Sequence, residues 1–392
     1  MAAPSVAEAA ASWLAVVRPL EARQLPAAEA LGCVLAADAI APHDLPPFPR
    51  AMMDGYAIRL PDAGRTLPLA GSVHAGDAPG SLPLGSVLGI MTGAPVPTGA
   101  EAVVQRELCV VSGSTVQLPE RIRPQANIVP RGGEALAGAT VLRAGEPVTA
   151  MAVAVAASLG IERLSVVPRP RVVVITTGAE LRQGGSIDGG AIRDSNGPMV
   201  AAMCAALGMP CRRLSMVDDP VAIRAAIVGA EGELIVLTGG VSAGDKDFVP
   251  AVLAELGYTS VVRGVDQKPG KPLLLAAGAG RLVAALPGNP LAVHWCFTRF
   301  VAPALRVLMG QAPGPETVRG VLAGILPGSR DRPWFVPVGL RREGGRLMVK
   351  PMPPVSSGDV VTPAHAAGYV AVAAGSAPIA SGAEVEVILC VG

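Results

Sequence analysis

The chain has 392 residues, of which 51% are hydrophobic and 16% charged, with 32 Lys and Arg against 31 Asp and Glu. This composition excludes a disordered chain, and the length predicts about two or three domains. The formal net charge of +1 provides no global field for nucleic acid or an anionic membrane, so any anion site must be local. Six scattered cysteines and four histidines indicate neither a disulfide framework nor structural zinc, and reduced thiols favour the cytoplasm.

The first 160 residues predict helices around a β-rich module. A capping-box spacing at residues 5–8 opens an amphipathic helix that extends to about Arg18. The proline-rich run 43–49 excludes a regular helix or a central strand, because each proline removes a hydrogen-bond donor. Short apolar stretches over 60–132 predict strands, and a helical pattern returns at 148–159.

The next part of the chain changes character. Short apolar runs at 171–175, 233–237 and 282–286 predict buried strands, each followed by a glycine-containing turn and a helix. Strands that alternate with helices predict a parallel, doubly wound sheet over about 166–310. Beyond Gly314, strands punctuated by Pro and Gly predict a separate β module. The uncharged C-terminal stretch is broken by Pro and Gly, so it predicts no membrane span.

Two of the predicted strands end in glycine-rich turns. Ligands of open α/β sheets bind off the carboxyl ends of the strands. Gly178, Gly239 and Gly240 would let backbone N–H groups approach phosphate oxygens there. Each turn taken alone is also typical of a plain tight turn.

Charged side chains follow the same strands. Asp245 and Asp247 could direct two carboxylates at one Mg²⁺, although an Asp there also commonly caps a helix. Lys268 and Lys271 in KPGKP place two ammonium groups on a proline-stiffened loop, which suits either an anion or a solvated turn.

Further loops are weak signals when taken singly. PGNP (287–290) lies between a strand and a helix, Asp54 lies in MDGY, and Thr92 lies in TGAP. Each is also an ordinary turn. The histidines have no evident partner, and Cys204 and Cys390 are predicted to pack in the core.

Seven strings in this order resemble the molybdopterin molybdenumtransferase (MoeA) family, which is related to the E domain of gephyrin. The resemblance extends over essentially the whole chain. The strings are LPPFPRAMMDGYAIR (45–59), IMTGAPVPTGAEAVV (90–104), ITTGAEL (175–181), IRDSN (192–196), LTGGVSAGDKDF (237–248), KPGKP (268–272) and LPGNP (286–290).

The resemblance implies a multidomain α/β plus β fold. Its expected parts are a discontinuous helical domain (1–45 with 134–165), a β-rich lid module (46–133), a doubly wound molybdopterin-binding α/β domain (166–312) and a C-terminal β-barrel-like domain (313–392). It further implies a cytoplasmic homodimer that contacts a molybdopterin adenylyltransferase and molybdoenzymes transiently, without nucleic acid or a membrane.

The implied activity is the Mg²⁺-dependent insertion of molybdate into adenylylated molybdopterin, with release of AMP. By position, the catalytic candidates are Asp54, Glu180 and Asp247. The metal candidates are Glu180, Asp245 and Asp247. The substrate-binding candidates are Thr92, Asp218, Gly239, Gly240, Lys268, Lys271, Pro287, Pro290 and Ser357.

The chain departs from the family pattern at Ala51-Met52-Met53, where Ser-Ala-Met is usual before Asp54, and at three further positions. Ala135 replaces an expected Asp, Ala292 replaces an expected Ser, and Ala367 replaces an expected Asn. These changes leave the lysines intact but remove polar groups, which indicates a divergent member. They keep open an alternative in which the chain binds or carries the pterin without catalysis. An adenylyltransferase is disfavoured, because a stand-alone enzyme of that kind lacks the modules on both sides.

Overall fold

The structure is a computed structural model that describes residues 3–391 except 183, 185, 186, 188 and 241–247. Asp245 and Asp247 therefore lie outside the described residues. The chain divides into two compact units. One contains Met1–Arg23, Gly32–Val34 and Val167–Gly392, and the other contains Gln24–Leu31 and Leu35–Val166. The division into four domains remains a prediction.

The first 167 residues form two helices and thirteen short strands. The helices are α1 (Val6–Leu14) and α2 (Ala150–Ser158). The strands are β1 (Arg23–Pro26), β2 (Val34–Leu35), β3 (Ala39–Ile40), β4 (Arg50–Ala51), β5 (Gly55–Ile58), β6 (Thr66–Val73), β7 (Val87–Ile90), β8 (Ala102–Gln105), β9 (Val110–Ser112), β10 (Thr115–Gln117), β11 (Ile128–Val129), β12 (Thr140–Leu142) and β13 (Arg163–Val167).

The capping box of α1 is confirmed. The Ser5 hydroxyl accepts from the Glu8 N–H, and the Glu8 carboxylate accepts from the Ser5 N–H at 2.9 Å. The helix ends at Leu14, which is earlier than the predicted end near Arg18.

The β-rich module is also confirmed. Six of these strands form one sheet in the order β8-β5-β7-β6-β10-β9. All four residues of β5 are buried, because the strand pairs with β7 and β8 on its two edges and its side chains pack into two apolar clusters. The loop that carries Asp54 therefore leads directly into the core of this unit.

A mixed α/β sheet follows in the larger unit. Its helices are α3 (Asn196–Ala206), α4 (Pro220–Val228) and α5 (Val249–Glu255). The strands over this stretch are β14 (Val172–Thr177), β15 (Leu181–Arg182), β16 (Ile192–Arg193), β17 (Cys211–Met216), β18 (Leu234–Thr238), β19 (Thr259–Arg263), β20 (Leu274–Gly278) and β21 (Arg281–Leu286). The six-stranded order is β17-β14-β18-β21-β20-β19.

The sheet is parallel only in part. Strands β17, β14, β18 and β21 run parallel, as predicted, whereas β20 pairs antiparallel with β21, and β19 pairs antiparallel with β20. The reason is local: β20 and β21 are joined by only Ala279 and Gly280, both with positive φ, and a two-residue hairpin turn forces antiparallel pairing. The pairing of β19 with β20 shifts register between Ser260 and Val262.

One long helical segment begins at the PGNP turn. It consists of α6 (Pro290–Cys296), a π-helical turn (Phe297–Val301) and α7 (Ala302–Leu308). Among the described residues, this 19-residue segment alone is long and apolar enough to cross a membrane, yet 78% of its most apolar window is buried inside the protein. A buried core helix has the same length and composition. The segment 290–308 packs against α1, where the Trp13 Nε1–H donates to the Phe300 carbonyl at 3.0 Å.

The last strands close into a barrel. These strands are β22 (Thr317–Leu322), β23 (Trp334–Glu343), β24 (Arg346–Pro351), β25 (Gly368–Val372) and β26 (Glu384–Leu389). Their cyclic order is β22-β24-β23-β25-β26, which confirms the predicted C-terminal β-barrel.

Candidate functional site

The carboxyl ends of the parallel strands bring several predicted residues to one edge of the sheet. In register, Thr176 of β14 pairs with Thr238 of β18, and Thr238 pairs with Leu286 of β21. The chain leaves these strands, and the neighbouring β17, at the segments that carry predicted site residues. These residues are Glu180, Asp218, Gly239, Gly240 and Pro287.

The two glycines after β18 are required by the backbone. Gly239 and Gly240 have φ values of 95° and 64°, a region that favours glycine. A Cβ on Gly239 would lie 2.6 Å from the Thr177 carbonyl oxygen. The turn therefore leaves its backbone accessible to a ligand only while both positions are glycine.

Polar atoms at this edge are buried without partners. Thr177 Oγ1, Asn196 Oδ1 and Asp218 Oδ1 have no hydrogen-bond partner among the described residues. Leaving such a group unsatisfied costs about 1–3 kcal/mol. Thr177 ends β14, Asn196 begins α3 and Asp218 follows β17, so three such atoms at this edge are typical of a site completed by a polar ligand or water.

Asn196 links two of the sequence motifs. Its Nδ2–H donates to the Gly288 carbonyl at 2.7 Å, which joins the start of α3 to the PGNP turn. Asp194 caps the same helix by accepting from the Gly197 N–H at 2.9 Å and from the Thr176 hydroxyl at 3.1 Å. Asn196 was not among the predicted site residues; its only signal in the sequence was the string IRDSN (192–196).

Glu180 is exposed just beyond β14. A Cβ on Gly178 would lie 2.8 Å from the Glu180 Oε1, so the carboxylate lies close against the bare backbone of the turn. Asp219 accepts from the Ala222 N–H at 2.7 Å and so caps α4, which leaves the preceding Asp218 without a helix-capping role.

The KPGKP loop is held by a buried polar network. Gln267 is 1% exposed; its amide oxygen accepts from the Trp295 Nε1–H at 2.8 Å, and its Nε2–H donates to the Gly270 carbonyl at 2.8 Å. Gly270 has a φ of 88°, and a Cβ there would lie 2.6 Å from Cys296 Sγ. The loop is thus tightly packed on α6, while Lys268 and Lys271 remain exposed.

The barrel contributes to the surroundings of these motifs. Asn289 of the PGNP turn donates from Nδ2 to the Ser357 hydroxyl at 2.7 Å, and the Ser357 carbonyl accepts from the Leu291 N–H at 3.3 Å. Asp359 fixes this loop by accepting from the Thr362 N–H at 3.0 Å. Hydrogen bonds from the Thr362 hydroxyl and from backbone N–H groups lower the pKa of Asp359 to about 2. The predicted residues Pro290 and Ser357 therefore lie close together.

A cluster of cations was not noticed in the sequence. Lys268, Arg330 and Arg332, together with Trp334, line a cavity of about 330 Å³ to which one carboxylate, Asp331, also contributes. The arginines lie in a polar loop before β23 and carried no motif, so only the tertiary structure reveals them.

In the other unit, Asp54 and Thr92 are brought together. One carboxylate oxygen of Asp54 accepts from the Thr92 N–H at 2.7 Å and from its hydroxyl at 2.8 Å. These hydrogen bonds, with the nearby charge of Arg106, lower the pKa of Asp54. The following Gly55 is obligatory, because a Cβ would lie 1.9 Å from the Val104 carbonyl oxygen.

His294 has a partner that the sequence did not suggest. Its Nδ1 lies 2.6 Å from the Tyr369 hydroxyl oxygen. Burial lowers the pKa of His294 to about 4, so the imidazole is neutral at pH 7. His294 and Asp359 line a second cavity of about 260 Å³ beside Pro290.

We expect this histidine to make stability depend on pH. In the unfolded chain His294 takes up a proton near pH 6.5, and in the folded chain only near pH 4. The neutral imidazole therefore contributes its full share to the free energy of unfolding above pH 6.5, and this share is lost as the pH falls to 4. The full loss corresponds to about 3 kcal/mol. Denaturation should be measured for wild type and His294→Gln from pH 7.5 to 4. Over this range we expect the free energy of unfolding to fall by about 3 kcal/mol more in wild type than in the variant. Parallel curves would contradict the assignment, since the other three histidines are common to both proteins.

The departing positions lie in unlike surroundings. Ala292 is 2% exposed within α6, so its side chain packs in the core. Ala135 is partly exposed, and its N–H donates to the Leu45 carbonyl at 3.0 Å. The Ala367 N–H donates to the Val338 carbonyl at 2.8 Å.

No group of three or more His, Cys, Asp or Glu side chains suited to a metal occurs in the part of the chain that the structure describes. That part contains Glu180 but neither Asp245 nor Asp247. As a set, the three carboxylates supply the hard oxygen donors that Mg²⁺ prefers.

Comparison with known proteins assigns the parts of the chain. Residues 4–160 match the MoeA N-terminal region (domain I and II), 173–307 match a probable molybdopterin binding domain, and 319–390 match the MoeA C-terminal region (domain IV). Molybdopterin molybdenumtransferase 2 of Mycobacterium tuberculosis is 36% identical over 82% of this chain and 82% of its own length. Molybdopterin molybdenumtransferase of Staphylococcus epidermidis is 30% identical over 92% and 89%.

Solved structures agree with this assignment. The molybdopterin biosynthesis MoeA protein of Pyrococcus horikoshii superposes with a TM-score of 0.79 at 29% identity, and 99% of each chain is covered. A second structure of a MoeA protein from this organism has a TM-score of 0.77 at 26% identity and covers 99% of this chain.

The fold and the strand-end cluster thus define a multidomain protein built around an α/β domain of the molybdopterin-binding class. Matches over all three regions and relatives at 30–36% identity identify its family. The chain belongs to the MoeA family, the molybdopterin molybdenumtransferases, which confirms the resemblance seen in the sequence.

Proposed function

We propose that the chain is a transferase of molybdenum cofactor biosynthesis that inserts molybdate into adenylylated molybdopterin and releases AMP. The observation that carries this proposal is a set of buried polar atoms at this edge of the sheet: among the described residues, Thr177 Oγ1, Asn196 Oδ1 and Asp218 Oδ1 have no hydrogen-bond partner. Amide and carboxylate oxygens accept hydrogen bonds, so the N–H groups of a pterin, and not its phosphates, would supply the partners of Asn196 and Asp218.

The chain's own residues divide the work. The Gly239 and Gly240 backbone and the ammonium groups of Lys268 and Lys271 hold the phosphate-bearing substrate, since opposite charge and bare N–H groups favour an anion. The PGNP turn with Ser357 positions its other end. Glu180 would act by holding a cation next to the phosphoric anhydride, because a carboxylate without a cation would repel the phosphate oxygens.

We further propose Mg²⁺ as the cofactor, held by Glu180, Asp245 and Asp247. Bound there, the ion would offset negative charge on the phosphate oxygens as the anhydride is cleaved. In the other unit, Thr92 fixes Asp54 in its ionised form, which makes Asp54 a third catalytic carboxylate. The homodimer, the cytoplasmic location and the transient contacts with an adenylyltransferase and molybdoenzymes are proposed on the family resemblance alone.

The direct test measures AMP release by the purified chain. With adenylylated molybdopterin, Mg²⁺ and molybdate, we expect AMP to appear in proportion to the cofactor formed, and little without molybdate. Tight pterin binding without release of AMP would instead support the carrier alternative, which the loss of polar side chains at Ala135 and Ala292 favours.

Lys271→Ala is expected to weaken substrate binding. Losing one charge-assisted contact raises the dissociation constant for adenylylated molybdopterin about tenfold, and binding should become less sensitive to salt. The matched control is Lys350→Ala. Lys350 is an exposed lysine on β24, so this variant removes the same charge at a different place. Equal constants for both variants, measured by calorimetry, would remove Lys271 from the site.

A further inference from the structure

Lys268 is fixed at its backbone by the barrel. Its N–H donates to the Pro333 carbonyl at 2.8 Å, and its carbonyl accepts from the Phe335 N–H at 2.7 Å. These two bonds bracket Trp334, which faces Lys268 in an isolated parallel bridge. The lysine and the tryptophan are therefore held side by side by main-chain contacts, whatever their side chains do.

The side chains use this arrangement. The Lys268 ammonium lies over the Trp334 ring, 4.3 Å from its centroid. A cation at this distance is attracted by the ring face. A carboxylate partner would hold the ammonium equally well but would cancel its charge, whereas an uncharged ring leaves the full positive charge in place.

Both residues line the cavity of about 330 Å³ that Arg330 and Arg332 also enter. Among the described residues that line this cavity, three are cations and one, Asp331, is a carboxylate, which gives a positive balance. Such a balance favours an oxyanion as the ligand.

Lysine is rare in this chain compared with arginine. Of the 32 Lys and Arg residues, only four are lysines, at positions 246, 268, 271 and 350. A lysine ammonium can donate several hydrogen bonds to an anion, but its flexible side chain leaves its position poorly defined unless another group holds it. The ring of Trp334 supplies that support for Lys268.

We propose that Trp334 is a positioning residue, which holds the Lys268 ammonium at the cavity through its ring, so that the charge stays available to an incoming oxyanion. The oxyanion is molybdate or the phosphate of the nucleotide. The proposal rests on the proposed function for its biological meaning, but its physical content concerns anion binding and can be measured without turnover.

The test titrates the full-length protein with molybdate and, separately, with AMP. Trp334→Leu is expected to raise the dissociation constant of one of the two about two- to fivefold, as befits an exposed cation–ring contact. Trp334→Phe, which keeps a ring face, should stay within about twofold of wild type. The anion whose binding responds identifies the source of the oxyanion.

A double variant separates positioning from general loss of structure. If Trp334 acts through Lys268, adding Trp334→Leu to Lys268→Ala should raise the dissociation constant no further. Because the chain has four lysines, lysine-selective ¹³C labelling gives a simple spectrum. The Lys268 Hε signal should be shifted upfield by the ring current in wild type and Trp334→Phe, and should move back in Trp334→Leu.

The inference is overturned if both Trp334 variants bind molybdate and AMP as wild type does, if the losses in the double variant are additive, or if the Lys268 signal does not depend on Trp334. A protein that shows the expected binding and spectra but releases no AMP would overturn the proposed transferase activity and leave the assignment of Trp334 intact.

Discussion

Glu180→Gln is expected to lower the rate of AMP release about a hundredfold, with the KM for adenylylated molybdopterin changed less than about threefold. The amide keeps the shape of the side chain and removes its charge. Glu180 is exposed beside Gly178 at the carboxyl end of β14, so the substitution leaves the core untouched. If the carboxylate also helps to hold Mg²⁺, the variant should need a higher Mg²⁺ concentration for half-maximal rate.

The matched control is Glu231→Gln. Glu231 is equally exposed but lies before β18, at the opposite end of the same sheet, so its loss should not affect turnover. An Asp247→Asn variant should resemble Glu180→Gln, and the two together should be less than additive if both act at one ion. Normal turnover of Glu180→Gln would falsify the role given to this carboxylate.

Trp295→Ala is expected to destabilise the larger unit by about 3–5 kcal/mol. Trp295 is fully buried, stacks on Phe335 at a centroid distance of 3.9 Å and meets Tyr369 edge-on at 5.0 Å. Its Nε1–H also satisfies Gln267. The alanine therefore leaves a large cavity and loosens the network under the KPGKP loop, and denaturation followed by circular dichroism measures the loss.

A second buried tryptophan distinguishes stability from site geometry. Trp13 is also fully buried and donates to a carbonyl, but its partner is Phe300 and not Gln267. We expect Trp13→Ala to lose similar stability while keeping its affinity for adenylylated molybdopterin at a temperature where it stays folded. Trp295→Ala should bind more weakly under those conditions, and equal affinities would show that the network does not support the loop.

The sequence predicted the parts of the fold that follow from local pattern. Strands β14, β18 and β21 are continuous apolar runs, and such runs are typical of strands buried on both faces. Strand β17 was not among the predicted buried strands, because CRRLSM is not a continuous apolar run. The antiparallel β20 and β19 were missed because an Ala-Gly hairpin is a weaker signal than Asn-Gly or Asp-Gly.

The candidate site was predicted only where motifs are contiguous. TGG, KPGKP and PGNP are visible as strings, and the sheet topology then places them at one edge. Contacts between residues distant in the chain are not visible in this way. His294 meets Tyr369 across 75 positions, and Asn289 meets Ser357 across 68; no local pattern encodes either pair.

The two outer strands of the α/β sheet have a consequence for self-association. On one side, β17 carries the exposed charges of Arg212 and Arg213, and on the other, β19 has an irregular register at Ser260 and ends at the exposed Arg263. Charged side chains and bulges prevent a flat edge from recruiting a strand of another molecule. We therefore expect this sheet to resist edge-to-edge aggregation at high protein concentration, so that copies of the chain associate through other surfaces.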